Sequence, residues 1–243
     1  MRRSALGLLL AGCADPAPAP TEPQEEETVP QGLVVFAFPV AEPERISATV
    51  GVDHDPESDD DSVLGAVLCT DYLGRPFPHC YGGHRGTDYM LEGGFAAMDD
   101  GSATAVAAAP GEVLEVVDGF YDRCRAQGTE IDCDGHPKGS NHVVLLHDHG
   151  VRTLYHHLMK DSIGVEVGDT VACGDPLGLL GSSGHSSAPH LHFEVWDPEG
   201  AIVDPYAGPY SQEETWWWDQ GDPDGLPGAT CGGAPGLTGG RRP

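Results

Sequence analysis

Apolar and polar positions alternate with a period of two through most of the middle of the chain, and no stretch carries a sustained helical period. Val34-Val35-Phe36-Ala37-Phe38 reads as a first strand. Residues 105–108 and 113–117 read as strands on either side of the turn Pro110-Gly111. Residues 142–147 and 151–158 are further strands. Asp148-His149-Gly150 between them predicts a tight turn and a hairpin. Shorter strands fall at Val171 and residues 177–180, and residues 191–196 close the series. Glycine sits at nearly every junction, as tight turns in a compact antiparallel sheet require. The expectation is an all-β, mainly antiparallel domain over residues 32–208.

The flanks differ from this middle zone. Arg2 and Arg3 precede an apolar run over residues 5–11, and Leu10-Ala11-Gly12-Cys13 then resembles the lipobox of bacterial lipoproteins. That resemblance implies a signal peptide over residues 1–12 and a lipid anchor that holds Cys13 to a membrane. Residues 13–31 are rich in Pro and Glu with little to bury, and predict a disordered tether. Residues 209–243, rich in Gly, Pro and acids, read as a C-terminal tail. Within it, Trp216-Trp217-Trp218 is either a sugar-stacking patch or an apolar plug packed on the domain. No later apolar run is long enough to span a membrane.

Charge narrows the choice of partners. The chain carries 39 acidic against 12 basic side chains, a formal net charge of −27. Such a surface is repelled by nucleic acid and by anionic lipid headgroups, so nucleic-acid binding is set aside. With Cys13 apart, Cys69, Cys80, Cys124, Cys133, Cys173 and Cys231 remain, which in an exported chain suggests up to three disulfides. Sequence proximity pairs Cys69 with Cys80 and Cys124 with Cys133, leaving Cys173 for Cys231. None lies in a C-x-x-C pair, so a thiolate metal site is the weaker reading. Residues 53–62 hold six acids. They read as a solvated loop, because their spacing matches no calcium loop. Residues 119–139 are a polar insertion that reads as a disulfide-pinned surface loop.

The chemistry is carried by histidines and one carboxylate. His84 and Asp88 stand four apart, and His190 and His192 two apart inside a strand-like run. Alternation puts His190, His192, Glu194 and Trp196 on one face, and Leu191, Phe193 and Val195 on the other, toward a core. His84, Asp88 and one of the paired histidines meet the needs of a catalytic zinc, which takes three N or O ligands and keeps an open position. The other paired histidine is then free as an acid or base. A Glu base on an H-E-x-x-H helix is absent, so a histidine must take that role. His54, His79, His136, His142, His147, His149 and His185 match no pattern. His142 and His147 read as ordinary strand positions.

Three segments carry a resemblance. They are Gly83-His84-Arg85-Gly86-Thr87-Asp88-Tyr89, Tyr155-His156-His157-Leu158, and the run from Gly181 through Pro189-His190-Leu191-His192-Phe193-Glu194. In this order, with Ala109-Pro110-Gly111-Glu112-Val113 and Cys173-Gly174-Asp175-Pro176-Leu177-Gly178 between them, they resemble the lysostaphin/LytM-type zinc endopeptidases. The resemblance implies zinc ligation by His84, Asp88 and His192, with His190 and His157 as catalytic histidines. It also implies a compact antiparallel domain built as a duplicated hybrid motif with a groove across the sheet. The implied activity is hydrolysis of peptide cross-links or stem peptides of peptidoglycan. Strand alternation does not say whether His156 or His157 faces the site; the family spacing selects His157. Ser187-Ala188-Pro189-His190 departs mildly from the family's Thr-Gly-Pro-His. Relatives that only bind cell-wall peptides or activate a separate hydrolase typically lose a metal ligand, and this chain lacks none. An exported peptidase with a protein substrate is the remaining alternative.

Overall fold

A computed structural model describes residues 34–55 and 69–231. The signal segment, Cys13, the tether to residue 31, the acids of 56–62 and the chain after 231 lie outside the described residues. The strands in chain order are β1 (Ile46–Val50), β2 (Thr87–Leu91), β3 (Thr104–Val106), β4 (Gly111–Val117), β5 (Arg125–Gln127), β6 (Glu130–Asp132), β7 (Asn141–Leu146), β8 (Arg152–Leu158), β9 (Thr170–Val171), β10 (Pro176–Leu179), β11 (His190–Trp196) and β12 (Ile202–Val203). The α-helix α1 is a single short element, Gly94–Asp99. No helix among the described residues is long and apolar enough to cross a membrane.

Eight strands make the main sheet in the order β1-β2-β11-β8-β7-β4-β9, with β12 on the free stretch of β11. Every ladder is antiparallel. β7 and β8 form the expected hairpin around Asp148–Gly150, where His149 takes the left-handed conformation at φ 60°. β11 lies between β2 and β8, and this position assembles the site. The inward faces follow the alternation: Tyr89, Tyr155, Leu191, Phe193 and Val195 are all buried in the core.

Val34–Phe38 does not form a strand of the sheet, which corrects the first expectation. It is extended and buried, but its backbone partners change at each step. The Phe36 amide donates to the Trp216 carbonyl, that of Ala37 to Ala108, and that of Phe38 to Gly228. A segment apolar on both faces is bound on both sides, and its pattern specifies burial rather than a ladder. Phe36 meets Phe193 edge-on at 6.1 Å and Trp217 at 6.2 Å. Trp217 is buried, so residues 209–231 return to the core, and Trp217 fills the role of plug.

The six cysteines of the domain pair as Cys69–Cys80, Cys124–Cys133 and Cys173–Cys231. The last closes a separation of 58 residues. Chain entropy assigns about 4 kcal/mol to a loop of that size, and native disulfides typically contribute about 2–5 kcal/mol. The double substitution Cys173→Ser, Cys231→Ser is expected to lower unfolding stability by about 2–4 kcal/mol in a urea titration. An unchanged midpoint would show that the C-terminal segment is not coupled to the domain.

Candidate metal centre and its histidines

β2 and β11 bring Asp88 directly opposite His192, so both side chains rise from the same face of the sheet. His84 reaches them from the loop before β2. That loop is pinned by Asp53, whose Oδ2 accepts from the Gly83 amide at 2.9 Å and whose Oδ1 accepts from Asp55 and Thr70. Asp53 is buried, not part of a solvated acidic surface as the composition implied. Gly86 sits where β11 passes closest. A Cβ there would fall 2.6 Å from the Phe193 carbonyl oxygen and 2.9 Å from the His192 ring. Only glycine lets the loop close on the strand.

His84, Asp88 and His192 are all buried, and their ligand atoms lie within 4.8 Å of one another. The separations are 3.1 Å between His84 Nε2 and His192 Nδ1, 3.2 Å from His84 Nε2 to Asp88 Oδ1, and 2.8 Å from His192 Nδ1 to Asp88 Oδ1. The other ring nitrogens set the tautomers. His84 Nδ1 donates to the Gly51 carbonyl at 2.7 Å. His192 Nε2 donates to Glu194 Oε1 at 3.0 Å, and the indole N–H of Trp196 donates to Glu194 Oε2 at 2.7 Å. Each neutral ring therefore turns a bare lone pair inward, toward a carboxylate oxygen. Three acceptors so close are stable only with positive charge among them. A metal ion supplies that charge; without one, a proton must. The effect is visible on His192: burial lowers its pKa, but hydrogen bonds to Asp88 and Glu194 outweigh this and raise it to about 9. Burial likewise pushes the Asp88 carboxyl up, yet the charges of His190 and His84 and the bonds from His190 and His192 hold it well below the usual carboxylate range. The donor set, two imidazoles and a carboxylate with a carboxylate behind one imidazole, fits zinc.

His190 and His157 flank this trio. His190 Nδ1 donates to the Ala188 carbonyl at 2.7 Å, and its Nε2 lies 3.4 Å from Asp88 Oδ1. His157 Nδ1 donates to the Ser183 carbonyl at 2.7 Å, and its ring centroid is 4.7 Å from that of His190. Burial, and then the charges of His190, His156 and His192, push His157 well below the usual imidazole range. It is therefore neutral, and with Nδ1–H on the Ser183 carbonyl its Nε2 carries the lone pair.

His157 reaches the site because β8 breaks its alternation. The register places His156, not His157, opposite His192, and Tyr155 opposite Phe193 in the core. A regular strand would send His157 to the core side with Tyr155. Instead the β7–β8 register shifts by one residue between Asn141 and Val143, and His157 has φ 64°. This β-bulge turns the His157 ring back onto the face that carries His156, so both histidines project there. Their centroids are 4.5 Å apart, and they lie 5.8 Å (His157) and 6.0 Å (His156) from that of His192. Bulges of this kind recur beside active sites, where they re-aim a side chain.

The insertion at 119–139 is more than a surface loop. It forms the β5–β6 hairpin, closed by Cys124–Cys133, and lies against residues 182–186. The Cys124 amide donates to the Ser182 carbonyl, the Ser182 amide to Asp122, and the Ala126 amide to Ser186. Ser182 Oγ donates to the Cys124 carbonyl and lies 2.8 Å from Ser186 Oγ. The loop so held supplies the carbonyls of Ser183 and Ala188 that orient His157 and His190. The contributions of Asp53, Glu194 and these carbonyls were not read from the sequence, and only Glu194 gave a signal, by sharing a strand face with His192. Tyr81, also missed, stacks on His84 at 4.0 Å and is partly exposed. Of the unmatched histidines, His147 is buried with both ring nitrogens bonded, to the Pro110 carbonyl and Thr153 Oγ1, as befits a core position. His54 pairs with buried Asp204 at 2.8 Å.

Comparison with known proteins gives the family. The model of peptidase family M23 matches residues 83–205, a span holding all five residues. The peptidoglycan DD-endopeptidase ShyA of Vibrio cholerae is 38% identical over 68 residues, 28% of this chain and 15% of that protein. Lysostaphin of Staphylococcus simulans is 47% identical over 57 residues, 23% of this chain and 11% of that protein. The alignments thus span only a small part of these relatives. Among solved structures, the catalytic domain of the antimicrobial peptidase lysostaphin from Staphylococcus simulans is similar at 24% identity and a TM-score of 0.35, covering 59% of this chain and 86% of that one. The chain belongs to peptidase family M23.

Proposed function

We propose that this chain is a zinc-dependent endopeptidase that hydrolyses peptide cross-links or stem peptides of bacterial peptidoglycan. The observation that carries the reading is the meeting of three inward lone pairs on His84, Asp88 and His192, with two further oriented histidines beside them. Those three residues would hold the ion. Bound zinc lowers the pKa of a water to about 7 and polarises a carbonyl. The Ala188 carbonyl fixes the proton of His190 on Nδ1, so Nε2 is the atom that takes up and returns a proton. The Ser183 carbonyl does the same for His157. Once protonated, His157 Nε2 becomes a donor to the oxygen on which negative charge develops. Peptidoglycan as substrate is supported by the relatives named for endopeptidases of that polymer.

Purified peptidoglycan is the decisive substrate. Digestion should release new amino and carboxyl termini, identifiable by mass spectrometry, and a zinc-loaded protein that leaves both cross-links and stems intact would reject the reading. The same proposal places the protein outside the cytoplasm, anchored through Cys13. Cys13→Ala is expected to move it from the membrane fraction to the soluble one; unchanged partitioning would reject lipidation there.

A further inference from the structure

We propose that His156 binds substrate: its imidazole hydrogen-bonds the backbone of the peptide, within two residues of the bond that is cut. This rests on the peptidase reading above. His156 rises from the same sheet face as His192, its register partner on β11, and the bulge at His157 leaves it there. It differs from its neighbours in one respect. His84, His157, His190 and His192 each have a ring nitrogen tied to a carbonyl or carboxylate. His142 is bonded to the Ser140 carbonyl and Glu115. Neither ring nitrogen of His156 has a hydrogen-bond partner among the described residues. Both are therefore open to a ligand.

The ring is partly exposed, while the other four histidines are buried, so a ligand on this face can reach it. It is also packed against two neighbours: His142 meets it edge-on at 5.3 Å, and the His157 ring lies 4.5 Å away. It is not one of the three metal-capable residues. A neutral imidazole offers one donor and one acceptor, the pair that a peptide N–H and C=O require. An extended peptide advances about 3.3–3.6 Å per residue. A ring 6.0 Å from His192 and 4.5 Å from His157 therefore falls within two residues of the scissile bond.

The test compares wild type, His156→Ala and His156→Asn, whose amide keeps a donor and an acceptor near the position of Nδ1. Soluble muropeptides from muramidase-treated peptidoglycan serve as the probe. KM is measured on the zinc-loaded proteins, and Kd by titration of proteins stripped of metal with a chelator. His156→Ala should raise both KM and Kd about five- to tenfold, the worth of one hydrogen bond, with kcat and zinc content within about twofold. His156→Asn should recover part of the loss. Unchanged KM and Kd in His156→Ala, with the wild type active, would overturn this role and leave the peptidase reading standing. A loss of zinc or of kcat alone would also overturn it. Muropeptide binding weakened by His156→Ala in a wild type that hydrolyses nothing would sustain the contact and reject the peptidase.

Discussion

Alanine at His84 or Asp88 is expected to remove bound zinc and hydrolytic activity together. Each supplies one of three inward lone pairs, and the two that remain do not make a three-ligand site. Zinc content by mass spectrometry should fall from about one per chain toward none, while circular dichroism keeps its β signature. Glu194→Gln provides the graded control. It removes the carboxylate that holds the His192 proton on Nε2, and loss of such an outer partner typically weakens metal affinity about 10–100-fold. His84→Ala and Asp88→Ala should therefore be weaker still. A His84→Ala protein that retains full zinc would remove the proposed centre.

The second large effect separates proton transfer from metal binding. His157→Ala and His190→Ala are each expected to keep zinc and fold, yet lose about 10²–10⁴ in turnover, the usual contribution of a placed acid or base. Both rings sit beside the trio without completing it, and both are aimed by loop carbonyls. Turnover and zinc should be read on the same preparations. If His190→Ala lost its metal while His192→Ala kept it, the two roles would have to be exchanged. His156→Ala is the internal comparison: it should change KM, where His157→Ala changes kcat.

The parts of this site that follow local rules could be read from the chain. Two histidines at i and i+2 in a strand must share a face, and the structure puts His190 and His192 there. The core residues Leu191, Phe193 and Val195 follow from the same alternation. His157 could not be reached that way, because its place depends on one residue with positive φ, which no apolar pattern reports. Only the spacing of the family motif pointed to it. The supports at Gly51, Ser183 and Ala188 are backbone carbonyls, and main-chain groups have no signature in side-chain identity. Residues 34–38 show the opposite failure. Their composition required burial, and burial was met without a regular ladder. The third disulfide, by contrast, needed no geometry, since two close pairs left one possibility.

The meeting of Phe36 with Trp217 bears on how the chain becomes a folded protein. These aromatics come from opposite ends of the described chain, yet pack into one cluster with Phe193. Contacts of such high sequence separation close large loops and form slowly. The β7–β8 hairpin pairs near neighbours and needs no such closure. The core is sealed only after the segment around Trp217 has been synthesised. Until then the Phe36–Phe193 pair lacks the cover of Trp217, and the unfinished chain is at its most exposed to proteolysis and aggregation. Cleavage after residue 208 would bring that unfinished state back only once Cys173–Cys231 is reduced, because the bond otherwise keeps this piece of the core tied to the domain.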